Sequence, residues 1–388
     1  MSKILLLTRE YPPNSVGGLA ITSESIALGL QVRNHTVFVI SSGDKVCKRN
    51  GITIFGNDCC YPYETNGNNI KISKKIFNIA KNIINEKGID KIIVPDIFCY
   101  NEAHILSEIY NIPMIFVCLQ SFYTQRIDNS KYLFVSKYAK ESYENLVNYE
   151  EKVMKRATRI VFISQSLCDE MRKKYLILGK YCVIPLGIDL CLIDSMSQHT
   201  NILNHNFINL TVNARLVPIK GVYELVQSFK MISLEQKKIR LNIIGDGPEY
   251  DKIKQFCIKN RMQEQVKLFG KLEHKNALQI MKESDYGVIP SLWESFCYVA
   301  IEFMALKIPL LAAYDTALKE VCPLNIDYHF SLQNGKINPA RLAASIKSML
   351  KDTHGKNKKI SNARKYVEDN FTQDLFIKKL SEFMENSQ

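Results

Sequence analysis

The strongest constraint on this chain is a rhythm: a short apolar run, a loop, an amphipathic helical stretch, then another apolar run. The runs at 3–8, 36–40, 92–95, 113–118, 160–163 and 181–184 are apolar at most positions. Strands of that kind are buried on both faces, and strands alternating with helices, such as 20–30, build a parallel sheet. The rhythm restarts at 209–213, 241–244, 266–269, 286–289 and 309–312. Val222, Leu225, Val226, Phe229 and Ile232 fall on one face of a helix over 221–232. Residues 340–350 and 361–388 also read as helical. The fold class is therefore α/β with two Rossmann-like domains.

Length agrees, since 388 residues suit two domains of roughly 190 residues better than one core. Pro and Gly in Pro185-Leu186-Gly187-Ile188-Asp189 punctuate the join, giving domains at 1–187 and 188–370, with 194–206 a polar loop. Two such domains are expected to bind ligands in a cleft between them, at the carboxyl ends of their strands.

Several classes are excluded. No stretch approaches the roughly 18 apolar residues of a membrane-spanning helix. The opening MSKILLLTREYPP has too short an apolar run for a signal peptide and reads as a first strand. The 11 cysteines form no CxxC pair or zinc-type cluster, as in reduced cytoplasmic proteins; adjacent Cys59-Cys60 reads as ordinary loop or core. The net charge of +12 is spread evenly, without a dense basic run, so nucleic acid is not an expected partner. Peripheral contact with an anionic membrane surface stays open. Nothing indicates an oligomeric state.

Three segments carry chemistry. In the first, strand 286–289 feeds Pro290-Ser291-Leu292-Trp293-Glu294-Ser295-Phe296-Cys297, and a helix opens near Tyr298 and Val299. The free N–H groups of a helix start favour an anion such as phosphate. Glu302, one turn in, matches a vicinal diol, because a carboxylate accepts two hydrogen bonds; Glu294 is placed to grip sugar hydroxyls. By themselves, two glutamates eight apart read more readily as surface residues flanking a core helix. In the second, Asn213-Ala214-Arg215-Leu216-Val217-Pro218-Ile219-Lys220-Gly221 also leaves a strand end, and Arg215 and Lys220 suit a diphosphate. In the third, Gly17 and Gly18 follow Tyr11-Pro12-Pro13-Asn14-Ser15-Val16 between the first strand and first helix, a turn that lets backbone approach a ligand but lacks GxGxxG. Gly245 and Gly247, after strand 241–244, either border the donor or make a tight turn. No two aspartates stand two apart, so an Asp-x-Asp metal site is absent and no metal or cofactor is expected.

In this order the segments resemble the family 4 glycosyltransferases of the GT-B fold, over nearly the whole chain. Glu294 and Glu302 match the family's E-x7-E motif, Arg215 and Lys220 its R-x4-K element, and Gly17-Gly18 its N-terminal glycine loop. The stretches VIPLGID at 183–189, VFISQSL at 161–167, IIGDGPEYDKI at 243–253 and VKLFGKL at 266–272 fit as well. The resemblance implies an acceptor-binding domain at 1–187, onto which a last helix from about 371 crosses back, and a donor-binding domain at 188–370. It implies a retaining hexosyltransferase that moves a hexose or N-acetylhexosamine from a nucleotide sugar, UDP-linked, to a hydroxyl acceptor without metal. Arg215 and Lys220 would hold the diphosphate, Glu302 the ribose and Glu294 the sugar, with Gly17, Gly18, Gly245, Gly247, Ser295, Phe296, Cys297, Tyr298 and Val299 around the donor.

The chain departs from the family at three places. Cys297 stands where glycine is usual, Thr316-Ala317 where a glycine pair is usual, and Leu119-Gln120-Ser121 where a histidine is usual, leaving Gln120 as the acceptor-side candidate. A nucleotide-sugar epimerase, a phosphorylase or a non-catalytic sugar-binding relative are the alternatives. His35 and Trp293 read as structural.

Overall fold

The structure, a computed structural model, describes residues 1–13, 17–43, 46–57, 65–66, 69–70, 72–123, 140–196 and 202–385; Asn14–Val16 of the glycine loop, Cys59-Cys60 and the middle of the 194–206 loop lie outside them. The chain divides into two compact units, one of described residues up to Gly187 together with those from Gln373 onward, the other Ile188–Thr372.

Unit one follows from its buried apolar runs. β1 (Lys3–Leu7), with Ile4 to Leu7 inaccessible to solvent, leads through α1 (Gly18–Val32) to β2 (Thr36–Ser42). Two strands without an apolar run of their own in the sequence rhythm follow, β3 (Cys47–Arg49) and β4 (Ile52–Asn57), then a small pair, β5 (Thr65–Asn66) and β6 (Asn69–Ile70). α2 (Lys74–Lys87), β7 (Lys91–Val94), α3 (Tyr100–Tyr110), β8 (Met114–Cys118), α4 (Lys140–Arg156), β9 (Arg159–Phe162), α5 (Gln165–Lys174) and β10 (Lys180–Val183) complete the alternation. The sheet runs β10-β9-β8-β7-β1-β2-β4-β3, parallel except for β3.

Unit two repeats the plan. After α6 (Leu190–Asp194) come β11 (Ile208–Asn213), α7 (Val222–Ser233), β12 (Ile239–Ile244), α8 (Tyr250–Lys259), β13 (Val266–Gly270), α9 (His274–Lys282), β14 (Tyr286–Ile289), α10 (Tyr298–Ala305), β15 (Leu310–Ala313), α11 (Leu318–Val321), β16 (Tyr328–Phe330), α12 (Pro339–Lys351) and α13 (Lys356–Asn370). All six strands are parallel in the order β13-β12-β11-β14-β15-β16.

The stretch 361–385 is helical in two pieces. α13 ends at Asn370, Phe371 is buried at the break, and α14 (Gln373–Glu385) starts anew. Ile188 donates its N–H to the Phe371 carbonyl at 2.9 Å and bridges to Thr372, so the chain enters and leaves unit two side by side. α14 lies on unit one. A Cβ on Gly29 of α1 would stand 2.3 Å from Ile377 Cγ1, so glycine is what lets α1 and α14 touch. Lys91 Nζ caps the Met384 carbonyl at 3.0 Å, Arg33 pairs with Asp374, and the Arg159 guanidinium donates to the Phe383 carbonyl.

Candidate functional site

The strand order of unit two reverses between β11 and β14, which pair as neighbours. Helices leave such a point toward opposite faces, and the loops at the strands' carboxyl ends part to form a crevice. One loop, 214–221, follows β11; the other, 290–297, follows β14. They are stitched together. Leu292 donates its N–H to the Ile219 carbonyl at 2.8 Å. Gly221 sits at φ 64°, where a Cβ would lie 2.3 Å from the Pro290 carbonyl oxygen; both the left-handed backbone and the close approach demand glycine.

Gly245 and Gly247 support the first loop from behind. A Cβ at Gly245 would come within 1.9 Å of the Ala214 oxygen, and one at Gly247 within 2.6 Å of the Leu216 oxygen. Leu216 bonds across to Asp246 and Glu249 through the backbone, each at 2.9 Å. Both glycines make a tight turn, which fixes Ala214–Leu216 in the loop that carries the exposed Arg215.

The stitching sets Lys220 against Glu294, with Nζ 2.7 Å from Oε1 and only 21% and 11% of the two side chains exposed. Two groups that the sequence assigns to separate parts of a ligand are here each other's partners. Glu294 is further held by its N–H, which donates to the Thr316 hydroxyl at 3.1 Å. Thr316, in the expected glycine position, keeps a positive φ of 44°.

α10 opens beside this pair. Its N-cap is Cys297, at φ 91° and ψ 79°, a left-handed conformation that favours glycine and strains a residue with a Cβ. The substitution of Cys for Gly has thus kept the backbone shape and taken on the strain. Burial lifts the Cys297 thiol well above its usual range; the Glu294 carboxylate adds to that, Lys220 opposes it, and Glu302 contributes a smaller push upward. Lys220, Glu294 and Glu302 thus all act on the sulfur that caps α10.

Glu302, 3% exposed, places Oε1 2.6 Å from Nε2 of His274, the first residue of α9. The motifs of the sequence do not single out His274. β13, which precedes α9, ends on the same side as β11 and β14, but nothing local in the sequence ties position 274 to 302.

The remaining candidates divide. Ser295, Tyr298 and Val299 are half-buried at the mouth of the helix. Phe296 is 2% exposed, and its ring packs edge-on against Tyr298 and Phe371 at 5.9 and 5.7 Å. Trp293 is half-buried. The other three belong to unit one. Gly17 caps α1 in extended conformation and donates its N–H to Glu10 Oε2 at 3.1 Å, and a Cβ added to it would meet nothing within 4 Å; Gly18 begins the helix. Gln120 is half-buried just beyond β8 and its carbonyl accepts from the Cys118 thiol at 3.5 Å. Phe122 and Tyr123, just after it, are held by a residue that no motif marks: buried Glu150 accepts from their N–H groups and from the Tyr175 hydroxyl at 2.9, 3.2 and 2.8 Å. His35 is buried and accepts from the Ser2 N–H at 3.2 Å.

Among the described residues, no three His, Cys, Asp or Glu are placed to hold a metal ion, and no helix is long and apolar enough to cross a membrane. The loops after β11 and β14 thus carry Arg215, Lys220, Glu294 and the N-terminus of α10, with Glu302 inside that helix; cations and free helix amides suit an anion, and carboxylates suit hydroxyl groups.

Comparison with known proteins gives matches on both sides of the join. A family model for Glycosyltransferase Family 4 matches residues 16–191, and one for Glycosyl transferases group 1 matches 197–366. An uncharacterised glycosyltransferase of Methanocaldococcus jannaschii is 25% identical over 395 residues, covering 97% of this chain and 96% of that one. Two solved structures share the fold. Sucrose-phosphate synthase from Thermosynechococcus elongatus has a TM-score of 0.81 at 16% identity, covering 99% of this chain and 98% of its own. Anabaena HepE in complex with UDP and glucose has a TM-score of 0.74 at 19% identity, with both chains covered in full, 100% each.

Proposed function

Because this chain is a family 4 glycosyltransferase of the GT-B fold, we propose that it moves a hexose or N-acetylhexosamine from a UDP-linked donor to a hydroxyl acceptor, with retention and without a metal. The observation that carries the reading is the Lys220–Glu294 pair, made where the loops after β11 and β14 are bonded together, with Glu302 on the helix that the second loop opens. In it, Arg215 and Lys220 take the diphosphate together with the first amides of α10, Glu302 accepts from the ribose diol, and Glu294 leaves Lys220 to accept from sugar hydroxyls. The UDP in the HepE complex supports the choice of base.

The chemistry then needs position and charge more than a protein nucleophile. As the bond from the sugar's anomeric carbon to the diphosphate oxygen lengthens, negative charge grows on the departing nucleotide, and fixed cations stabilise it more than they stabilise the ground state. The acceptor hydroxyl oxygen bonds to the same carbon from the face the nucleotide leaves, and its proton passes to a phosphate oxygen of the leaving diphosphate. The products are the glycoside and the nucleoside diphosphate. Holding donor and acceptor together in this geometry supplies much of the rate.

The test is a thermal-shift screen of UDP-, GDP-, ADP- and TDP-sugars, with EDTA and then with magnesium. We expect the largest shift from a UDP-sugar, undiminished by EDTA, and its loss in Arg215→Ala/Lys220→Ala. An unchanged shift in that double variant would remove the site from the proposal. NMR of the product anomer on any acceptor found decides retention.

A further inference from the structure

We infer that His274 is a positioning residue for Glu302, setting the carboxylate in the orientation in which it takes the donor's ribose, so that affinity for the nucleotide depends on a side chain outside the motifs. The inference deepens the donor-site reading and rests on it.

Glu302 stands on α10 with its side chain almost wholly buried, and its carboxylate has one hydrogen-bond partner among the described residues, His274 Nε2 at 2.6 Å. An ionised carboxylate only accepts, so Nε2 carries the proton of this bond. Oε1 is thereby engaged, and among the described residues Oε2 has no partner. Glu302 is not among the buried groups sealed from solvent without a bond, so Oε2 keeps some contact with solvent.

A glutamate alone on a helix samples several rotamers, and binding a diol would require ordering it. A charge-assisted bond from a neighbouring helix does that ordering beforehand. His274 suits the task. It is the first residue of α9 and 41% exposed, so it holds the carboxylate without itself being sunk in the core. Its removal deletes no residue of α10 and neither of the cations Arg215 and Lys220.

This separates its effect from a general loss of structure. A residue that acts through Glu302 matters only for ligands with ribose hydroxyls. UDP, GDP and ADP are each compared with their 2′,3′-dideoxy forms by calorimetry, on the full chain, in wild type, His274→Ala, His274→Gln and Glu302→Ala. Wild type is expected to prefer the hydroxylated form of the nucleotide it binds best. His274→Ala should weaken that form by about ten-fold, the usual worth of a hydrogen bond to a charged group, and the dideoxy form by less than about two-fold. His274→Gln, whose amide can donate to Oε1, should recover most of the difference.

If wild type prefers the hydroxylated form and His274→Ala preserves that preference, the role of His274 is overturned while the donor site stands. Equal weakening of both forms in His274→Ala overturns it too, as a purely structural effect. If wild type does not distinguish the two forms, or binds no nucleotide, the ribose role of Glu302 fails and this inference falls with it.

Discussion

Lys220 Nζ rests 2.7 Å from Glu294 Oε1, across 74 residues of sequence. The pair is a competitor for the diphosphate, because the carboxylate occupies the cation that a phosphate would use. Half-dry pairs of this kind contribute little net energy when both partners have alternatives. Glu294→Gln should therefore bind UDP about five-fold tighter, equivalent to about 1 kcal/mol. Sugar transfer should nonetheless fall by about a hundred-fold or more, since the charge that orients the sugar is gone. Calorimetry with UDP and initial rates with the UDP-sugar check the two halves; weaker UDP binding in the variant would contradict the exchange.

Cys297 holds a conformation that glycine adopts freely. Its φ of 91° carries strain of about 1–2 kcal/mol for a residue with a Cβ. Cys297→Gly should stabilise unit two by about 1 kcal/mol after allowing for glycine's freedom in the unfolded chain, raising its melting temperature by roughly 2–4 °C. Cys297→Val, branched at Cβ, should lower it. Differential scanning calorimetry reads both, and a glycine variant less stable than wild type would mean that thiol packing outweighs the strain.

Asp327 gives the pH dependence a sign. It is 2% exposed, and Oδ1 accepts from the Leu310 and Tyr328 N–H groups while Oδ2 is buried without a partner. Burial lifts its carboxyl from 3.8 to about 8, against those two bonds and Lys359, which pull it down. The folded state thus binds the proton more tightly than the unfolded chain. The stability from this group is complete below about 3.8 and is lost as pH rises through about 8. Asp327→Asn should flatten that decline. Urea unfolding at intervals from about pH 4 to about pH 8.5 is the measurement, and parallel curves for the two proteins would refute it.

Gly29 and Ile377 form a matched contact between α1 and α14. A Cβ at Gly29 meets Ile377 at 2.3 Å, and overpacking of that kind costs about 1–3 kcal/mol. Gly29→Ala should lower the melting temperature of unit one, and Ile377→Ala added to it should restore part of the loss. Strict additivity of the two destabilisations would show that they do not compete for space.

Legibility in the sequence follows burial. Strand 286–289 is legible at its observed bounds because four buried residues stand between Asp285 and Pro290. β3 is invisible: all three of its residues are exposed, so it has no apolar signature. The break at Phe371 carries no Gly or Pro to announce it; a buried ring packed against Phe296 and Tyr366 makes the turn. In the site, motif spacing can name Arg215, Lys220, Glu294 and Glu302. It cannot pair them. Lys220 with Glu294 and His274 with Glu302 are brought together by the β13-β12-β11-β14 order, a non-local fact that no window of sequence contains.

The return of the chain from unit two to unit one has a consequence for how the protein is born. A ribosome completes Ile188–Thr372 before it delivers α14, so the half encoded second can reach its native packing first. The half encoded first keeps the Gly29 face of α1 uncovered throughout that interval, until Ile377 arrives. A nascent chain stalled just short of α14 should present that apolar face to chaperones.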